Sequence, residues 1–336
     1  MKINFENLIK ENLLNNIPRN KKIFITGSSG FIGNYLLEAL TFLSEKNKNI
    51  IHGIDIIKPK TSYKNFTFYK RDLQKITYKN LPKYKYDYII HLAGIPSPTY
   101  YKENPLGTIY LNSNLAEILL KKSKKDNSKF IYFSSSEIYG NPTLDQIPTK
   151  ETYNGYVSSI SDRSCYDESK RMGETLTYIY KTKFAVDCKI IRPFNFYGNG
   201  MKYNDKRIIP QFFYQAINTK KITVFDNGKQ TRTYCHIYDA VVMILKIIFS
   251  GKQFVYNVGN SNEEISAEKI AKKIVNKFNK NKIKILKVKY PKNYPSDEPR
   301  RRCPSMKKFY EEFKYKAKIK LDDGLEYFKE FALREY

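Results

Sequence analysis

Tyr166 and Lys170 stand four residues apart, a spacing that puts both side chains on one face of a helix. A phenol titrating near about 10 is a poor base at neutral pH, but a neighbouring ammonium stabilises the phenolate and makes proton transfer feasible. Among 29 tyrosines such a spacing arises by chance, so its position matters. It opens a helical stretch, residues 165–181, downstream of an apolar run at 130–133 that ends in Ser134-Ser135-Ser136-Glu137. A hydroxyl at the carboxyl end of a parallel strand points into the crevice where ligands bind. Ser135 is thus the candidate to hydrogen-bond the reacting hydroxyl beside Tyr166. Glu137 says more, because a pure hydride exchange needs no carboxylate there.

A second constellation lies near the start of the chain. Gly27-Ser28-Ser29-Gly30-Phe31-Ile32-Gly33 is a GxxGxxG loop between the β-branched run 22–26 and a stretch with helical apolar spacing, residues 31–43. Glycine is required where the chain turns tightly and where backbone N–H groups approach a pyrophosphate, and the helix N-terminus adds a partial positive charge. Asp55 closes the next apolar run, 50–54, where a carboxylate accepts hydrogen bonds from both ribose hydroxyls and repels a 2′-phosphate. The expected cofactor is NAD, whose positive nicotinamide ring would also lower the Tyr166 pKa while Lys170 holds the ribose. Asp72 is placed to meet the adenine edge, with Leu73 beside it and Leu92 ending the fourth strand.

To position these groups the chain must alternate strands and helices. Strands are expected at 22–26, 50–54, 66–69, 88–92, 130–133 and 187–191, with helices at 31–43, 108–122 and 165–181. This is the pattern of parallel βαβ units, hence an α/β, Rossmann-type doubly wound sheet. After Arg192 the pattern loosens into helices at 210–218, 239–249 and 266–279, separated by turn-rich pieces at 195–204, 226–229 and 291–304. The expected organisation is an N-terminal extension (1–20) and an NAD-binding domain (21–192, with elements from about 232–258). A smaller, mainly helical substrate-binding lobe (193–231 and 259–336) completes it.

Composition limits the remaining choices. No apolar run approaches the roughly 20 residues of a membrane helix; the longest, 241–249, is interrupted by Lys246. The first 19 residues contain no signal-peptide apolar block. Cys165, Cys188, Cys235 and Cys303 are far apart with no CxxC pair, so reduced thiols in a cytoplasm are expected, with neither a disulfide framework nor a metal site. The net charge of +27 invites a nucleic-acid reading. Lysine supplies most of it, however, spread along the whole chain, which describes a generally basic surface tolerant of anionic substrates.

With these residues in hand, the chain resembles the extended short-chain dehydrogenase/reductases that act on nucleotide sugars, and among them the UDP-glucuronate decarboxylases (UDP-xylose synthases). The resemblance rests on the GxxGFIG loop, Ser134 to Gly140 and the YxxxK pair. Further matches are Ser97-Pro98 with Tyr101, Ser164 to Arg171, Arg192-Pro193-Phe194-Asn195 with Tyr197-Gly198, Gly228 to Arg232, and Arg301-Arg302-Cys303-Pro304. It implies that Tyr166 deprotonates the sugar C4 hydroxyl, Glu137 and Ser136 handle the ring and the protonation at C5, and Arg302 holds the C6 carboxylate. It also implies that Ser97, Tyr101, Asn195, Arg207 and Arg232 contact the substrate, the two arginines at the diphosphate, and that helices 108–122 and 165–181 pair in a homodimer. Two departures stand out: Ser169 replaces a usual Gly, and Ser158-Ser159-Ile160-Ser161 replaces an Asn-Pro-Ile-Gly-like loop near the sugar. Decarboxylation, 4,6-dehydration and 4-epimerisation therefore all stay open at this level, although Ser136 is not the acid that dehydratases commonly carry and an epimerase has no obvious use for Glu137.

Overall fold

The computed structural model describes residues 4–13, 17–59, 61, 63–278, 282–290 and 299–336. The turn-rich piece expected at 291–304 and the end of the helix expected at 266–279 fall partly outside these residues. Short β-branched and aromatic runs form the strands β1 (Lys22–Thr26), β2 (Ile50–Asp55), β3 (Phe66–Lys70), β4 (Tyr88–His91), β5 (Lys129–Phe133) and β6 (Cys188–Pro193). The small strands β7 (Phe196–Tyr197), β8 (Lys221–Phe225), β9 (Thr231–Thr233) and β10 (Cys235–His236) come next, then β11 (Val255–Val258), β12 (Glu264–Ser266), β13 (Lys284–Val288) and β14 (Arg301–Arg302). The main sheet runs β11-β6-β5-β4-β1-β2-β3, parallel throughout, so the order reverses beside β1 and opens a crevice at the strands' carboxyl ends.

Side chains alternate across this sheet, and both faces are dry. Ile23 and Ile25 of β1, with Ile131 and Phe133 of β5, enter one core under the helices α1 (Phe5–Leu13), α2 (Phe31–Asn47) and α8 (Ile237–Ser250). Phe24, Phe130 and Tyr132 enter the other, against α5 (Leu115–Asp126) and α6 (Ser164–Phe184). A third core gathers α7 (Ile208–Asn218), α9 (Ala267–Lys277) and α11 (Leu321–Glu335) around Phe213, Ile270 and Phe328.

The six expected strands and the helices after 192 are all present, within a few residues of their expected ends. The strands β7 to β14 lie outside the sequence reading, because runs of two to five residues carry little period of their own, and two further features differ from it. Within the stretch treated as an extension, α1 buries Phe5, Leu8, Ile9 and Leu13 on one face, and Phe5 stacks on Tyr238 with ring centroids 4.5 Å apart. The polar residues between them masked this stripe. The single helix expected at 108–122 is instead divided among the end of α4 (Pro105–Ile109), a π-turn at Tyr110–Asn114 and the first part of α5, with the short α3 (Pro98–Glu103) ahead of them. Such a bulge re-aims side chains at functional sites.

Helix α6 reaches the sheet through Gly173. A Cβ there would meet Tyr132 Oη at 2.0 Å and the Asn112 carbonyl oxygen at 2.6 Å, two atoms joined by the tyrosine's own hydrogen bond of 2.8 Å. Gly173→Ala should therefore push α6 outward and destabilise the fold by about 1–3 kcal/mol, as overpacking typically does. A urea titration should show a lower midpoint at unchanged slope; an unchanged midpoint would mean the helix has slack here.

Candidate active site

Gly27 turns the chain off β1 at φ 72°, with no room for a side chain: a Cβ would lie 2.7 Å from Ala93 N. A Cβ on Gly33 would lie 2.3 Å from Gly27 O, so the loop and the first turn of α2 are pressed together. Gly30 is the N-cap of α2 and offers no side chain to the helix amides. Asp55 ends β2 against this loop; its carboxylate accepts from Ser29 N at 3.0 Å and Ile56 N at 2.7 Å. The buried hydroxyls of Ser28 and Ser29 have no hydrogen-bond partner among the described residues. A glycine cradle, an uncapped helix start and an acidic strand end fit a dinucleotide, with Gly27 to Gly33 for its pyrophosphate and Asp55 for a ribose. Gly27, Gly30, Phe31, Ile32, Gly33 and Leu92 line one end of a cleft of about 890 Å³. Asp72 and Leu73 lie apart from this lining: Asp72 accepts from Gln74 N at 3.0 Å, and Leu73 is buried in the core.

Tyr166 and Lys170, both buried on the first turns of α6, line the middle of the same cleft. Lys170 Nζ donates to Phe133 O at 2.7 Å and lies 5.9 Å from the Tyr166 ring centre. Burial lowers the lysine to about 7. Burial also raises the Tyr166 phenol above its ordinary value; a hydrogen bond with Ser135 opposes this, the Glu137 and Asp167 carboxylates reinforce it, and Arg207 opposes it. The phenol thus keeps its proton at neutral pH. Ser135, at the end of β5, also accepts from Glu137 N at 3.2 Å, and Ser136 lies buried beside it. Tyr101 stacks on Tyr166 at 5.3 Å.

Three participants escaped the sequence reading. The π-turn delivers Asn112, whose Nδ2 donates to Ser169 Oγ at 2.9 Å. Its Oδ1 shares the space above Gly94 with Lys170 Nζ: a Cβ on Gly94 would lie 3.1 and 3.4 Å from the two atoms. Arg163 and Arg302 grip Glu137 from two sides, Arg302 Nη2 donating to Oε2 at 2.7 Å, with further contacts from Arg302 Nη1 to Oε1 and from Arg163 Nη2 to Oε2. Although burial works to raise it, Arg302, Arg163 and Arg232 together hold the Glu137 carboxyl below its usual value. Asp167, behind Arg163, accepts from its Nε at 3.4 Å. The only sequence signal for these was the i,i+4 spacing of Arg163 and Asp167.

The expected substrate contacts converge as well. Tyr101, Asn195, Arg207, Arg232 and Arg302 line the cleft, whereas Ser97 sits just behind it at the N-cap of α3, its hydroxyl without a hydrogen-bond partner among the described residues. Asn195 Nδ2 donates to Thr233 O at 2.9 Å. Arg232 is buried in β9, with Nη2 donating to Pro299 O at 2.6 Å, and Arg207 pairs with Asp205, its Nε 3.0 Å from either carboxylate oxygen.

Residues 23–259 match the model of the NAD dependent epimerase/dehydratase family. The chain is 33% identical over 322 residues to UDP-glucuronic acid decarboxylase 6 of Arabidopsis thaliana, covering 94% of this chain and 90% of that protein. It is 30% identical to UDP-glucuronic acid decarboxylase 1 of Danio rerio, covering 91% and 71%. Among solved structures it resembles the UDP-glucose 4-epimerase of Thermotoga maritima (TM-score 0.81, 21% identity, 93% and 99% covered). It also resembles the UDP-glucuronic acid 4-epimerase of Bacillus cereus in complex with UDP-glucuronic acid and NAD (TM-score 0.76, 25% identity, 94% and 100% covered).

Asp55→Ala should weaken NAD and narrow its advantage over NADP, because the ribose acceptor and the repulsion of a 2′-phosphate disappear together. Titrations monitored by protein fluorescence or calorimetry check this; equal affinities before and after, for both cofactors, would remove Asp55 from the ribose site.

Proposed function

Because the chain belongs to the NAD dependent epimerase/dehydratase family, we propose that it oxidises a nucleotide-linked sugar at C4 and decarboxylates UDP-glucuronate to UDP-xylose or its 4-keto form. The observation that carries this reading is the ion pair of Glu137 with Arg302 in the cleft wall beside Tyr166. Hydride exchange at C4 needs neither group, whereas a substrate with a C6 carboxylate needs a cation to hold it. The curated relatives with this name and the Bacillus structure with UDP-glucuronic acid support the same substrate.

Bound NAD would supply the hydride acceptor facing C4. Tyr166 takes the C4 hydroxyl proton, and Lys170 with the incoming positive charge stabilises the phenolate. The resulting 4-ketone makes the C6 carboxylate a β-keto acid. The electrons of the C5–C6 bond then move toward the ketone as carbon dioxide leaves, and C5 takes up a proton from solvent beside Glu137 and Ser136. Return of the hydride to C4 together with the proton held on Tyr166 would give UDP-xylose; release before that return would give the 4-keto form and leave the cofactor reduced. Arg232, Arg207 and Asn195 would hold the diphosphate, where planar guanidinium donors suit phosphate oxygens. On this reading residues 21–192 hold the cofactor, and residues 193–231 and 259–336 form the substrate lobe. The reducing cytoplasm is the expected compartment, with all four cysteines unpaired.

Incubation with NAD and UDP-glucuronate should give a product lighter by one carbon dioxide, or by one carbon dioxide and two hydrogens where the 4-keto form is released and the cofactor is left reduced. Loss of water would favour a 4,6-dehydratase and unchanged mass a 4-epimerase. Tyr166→Phe should retain NAD binding and fall below about one per cent of wild-type turnover, since such a base is worth roughly 10²–10⁴-fold. Arg302→Ala should weaken UDP-glucuronate about ten- to a hundredfold and UDP-glucose far less, the cost of one charge-assisted hydrogen bond. Equal weakening of both would mean that Arg302 reads only the diphosphate.

We further propose a homodimer formed through the stretch 108–122, with the α4 turn that leads into it, and the outer face of α6. Leu176 and Tyr180 turn into the core, but Leu106 is 78% and Met172 52% exposed, with Ile109 and Ile179 exposed beside them in sequence and spacing. Light scattering at micromolar concentration should give twice the chain mass, and Leu106→Asp with Met172→Glu should halve it. A monomeric wild type would defeat this.

A further inference from the structure

The loop between β7 and α7, residues 198–207, brings Met201, Lys206 and Arg207 to the cleft wall. Its first half is pinned, Tyr35 Oη donating to Asn199 O and Tyr336 Oη to Met201 O, both at 2.9 Å. Its second half, residues 202–204, is exposed and tied to α3 by Asn204 Nδ2, which donates to Tyr100 Oη at 2.7 Å. Asp205 follows, outside the cleft lining and with its side chain only 13% exposed. Both its carboxylate oxygens lie 3.0 Å from Arg207 Nε, Nη2 makes a further contact with Oδ2, and Oδ1 also accepts from Arg207 N at 3.0 Å. Arg207 is the N-cap of α7, so the helix fixes its backbone while its long side chain stays free to turn.

A pair of oxygens gripped by Nε, Nη2 and a backbone N–H at the start of a helix is held as a phosphate would be. The chain therefore fills an anion-binding fork with its own carboxylate. Being two residues away in sequence, that carboxylate is present at a high effective concentration, and a free anion has to outcompete it. The penalty is the same for every anion that needs Arg207, but its consequence is not. A small phosphate held mainly by this fork is driven out of its working range. A nucleotide diphosphate, with Asn195 and Arg232 also in the cleft wall, has further contacts and stays within it. On a chain of net charge +27, an open guanidinium in a cleft would otherwise collect simple anions. When the fork turns away, Asp205 Oδ1 keeps the Arg207 N–H, so its carboxylate is not stranded.

Resting on the reading that Arg207 takes the substrate's diphosphate, we infer that Asp205 is an internal stand-in for that diphosphate. It occupies the Arg207 fork until a nucleotide sugar draws the fork across to the cleft. Asp205 is thus a positioning residue that acts through Arg207 and sets which anions can enter. Its effect has an unusual sign, because removing the interaction tightens the ligand. A carboxylate that merely oriented Arg207 for its ligand, or merely shaped the loop, would give the opposite sign or none.

The test is calorimetry on NAD-loaded protein with UDP and with inorganic pyrophosphate, for wild type, Asp205→Asn, Arg207→Ala and the double variant. Asp205→Asn keeps the shape and loses the charge. It should tighten UDP about three- to tenfold, the worth of a partly exposed bidentate pair, and pyrophosphate by a similar factor. Arg207→Ala should weaken UDP. Adding Asp205→Asn to Arg207→Ala should then change UDP affinity by less than about twofold, because no fork is left to release. If wild type binds UDP, Arg207→Ala weakens it, and Asp205→Asn weakens it too or leaves it unchanged, this inference alone is overturned. A tightening that persists in the Arg207→Ala background also overturns it, since Asp205 would not be acting through Arg207. If wild type does not bind UDP, or Arg207→Ala binds it as wild type does, the diphosphate reading of Arg207 fails and takes this inference with it. Should Asp205→Asn not fold, Asp205→Ser carries the same expectation.

Discussion

Helix α6 lies so close to the sheet at Gly173 that the Tyr132 hydroxyl and the Asn112 carbonyl fill the place of a side chain. That approach fixes both the depth and the rotation of the helix. Because 3.6 residues make a turn, Arg163, Tyr166, Asp167 and Lys170 then fall on successive positions of the turns that face the carboxyl ends of β5 and β6. The π-turn before α5 belongs to the same arrangement. Its extra residue aims Asn112 at Ser169 and at the space above Gly94, and Lys170 is held from the other side by the Phe133 carbonyl.

Burial gives this site its electrostatics. Water is scarce between the sheet and α6, so each charge is set by its protein neighbours. Lys170 falls to about 7 and the Tyr166 phenol rises, two shifts in opposite directions with one cause. Glu137 moves the other way from the phenol, because its guanidinium partners outweigh its desolvation. Of the buried groups in this site, Lys170 and Asp167 are the ones brought to about 7, so a charge entering the cleft acts first on these two.

The cleft gathers its walls from distant parts of the chain. The glycine loop comes from the β1–α2 turn, the serines and Glu137 from the end of β5, Asn195 from the end of β6, and Arg232 and Arg302 from β9 and β14, which pair side by side. The short sheet β12-β9-β14 holds those two arginines in register, Arg301 next to Thr231 and Arg302 next to Arg232. Tertiary pairing of three very short strands, rather than local propensity, brings these cations into the cleft that the glycine loop also lines.

Much of this was legible without coordinates, for a physical reason. Strands of a parallel sheet are apolar throughout and helices repeat every 3.6 residues, so β1 to β6, α2 and α6 announce themselves in composition and period. A glycine at positive φ (Gly27), a glycine pressed against the turn before it (Gly33) and an acidic strand end (Asp55) are likewise local requirements, so all three could be named from spacing. The helix α1 was hidden because its stripe of four apolar residues is diluted by lysine, glutamate and asparagine, and its partner Tyr238 is over two hundred positions away. The π-turn at Tyr110–Asn114 has no period of its own. Most of all, sequence could nominate Glu137 and Arg302 but had nothing to say of Arg163 and Asp167 as their neighbours. Charge pairs act through space at a few ångströms, and only the folded chain decides which of its many charged side chains meet around Glu137.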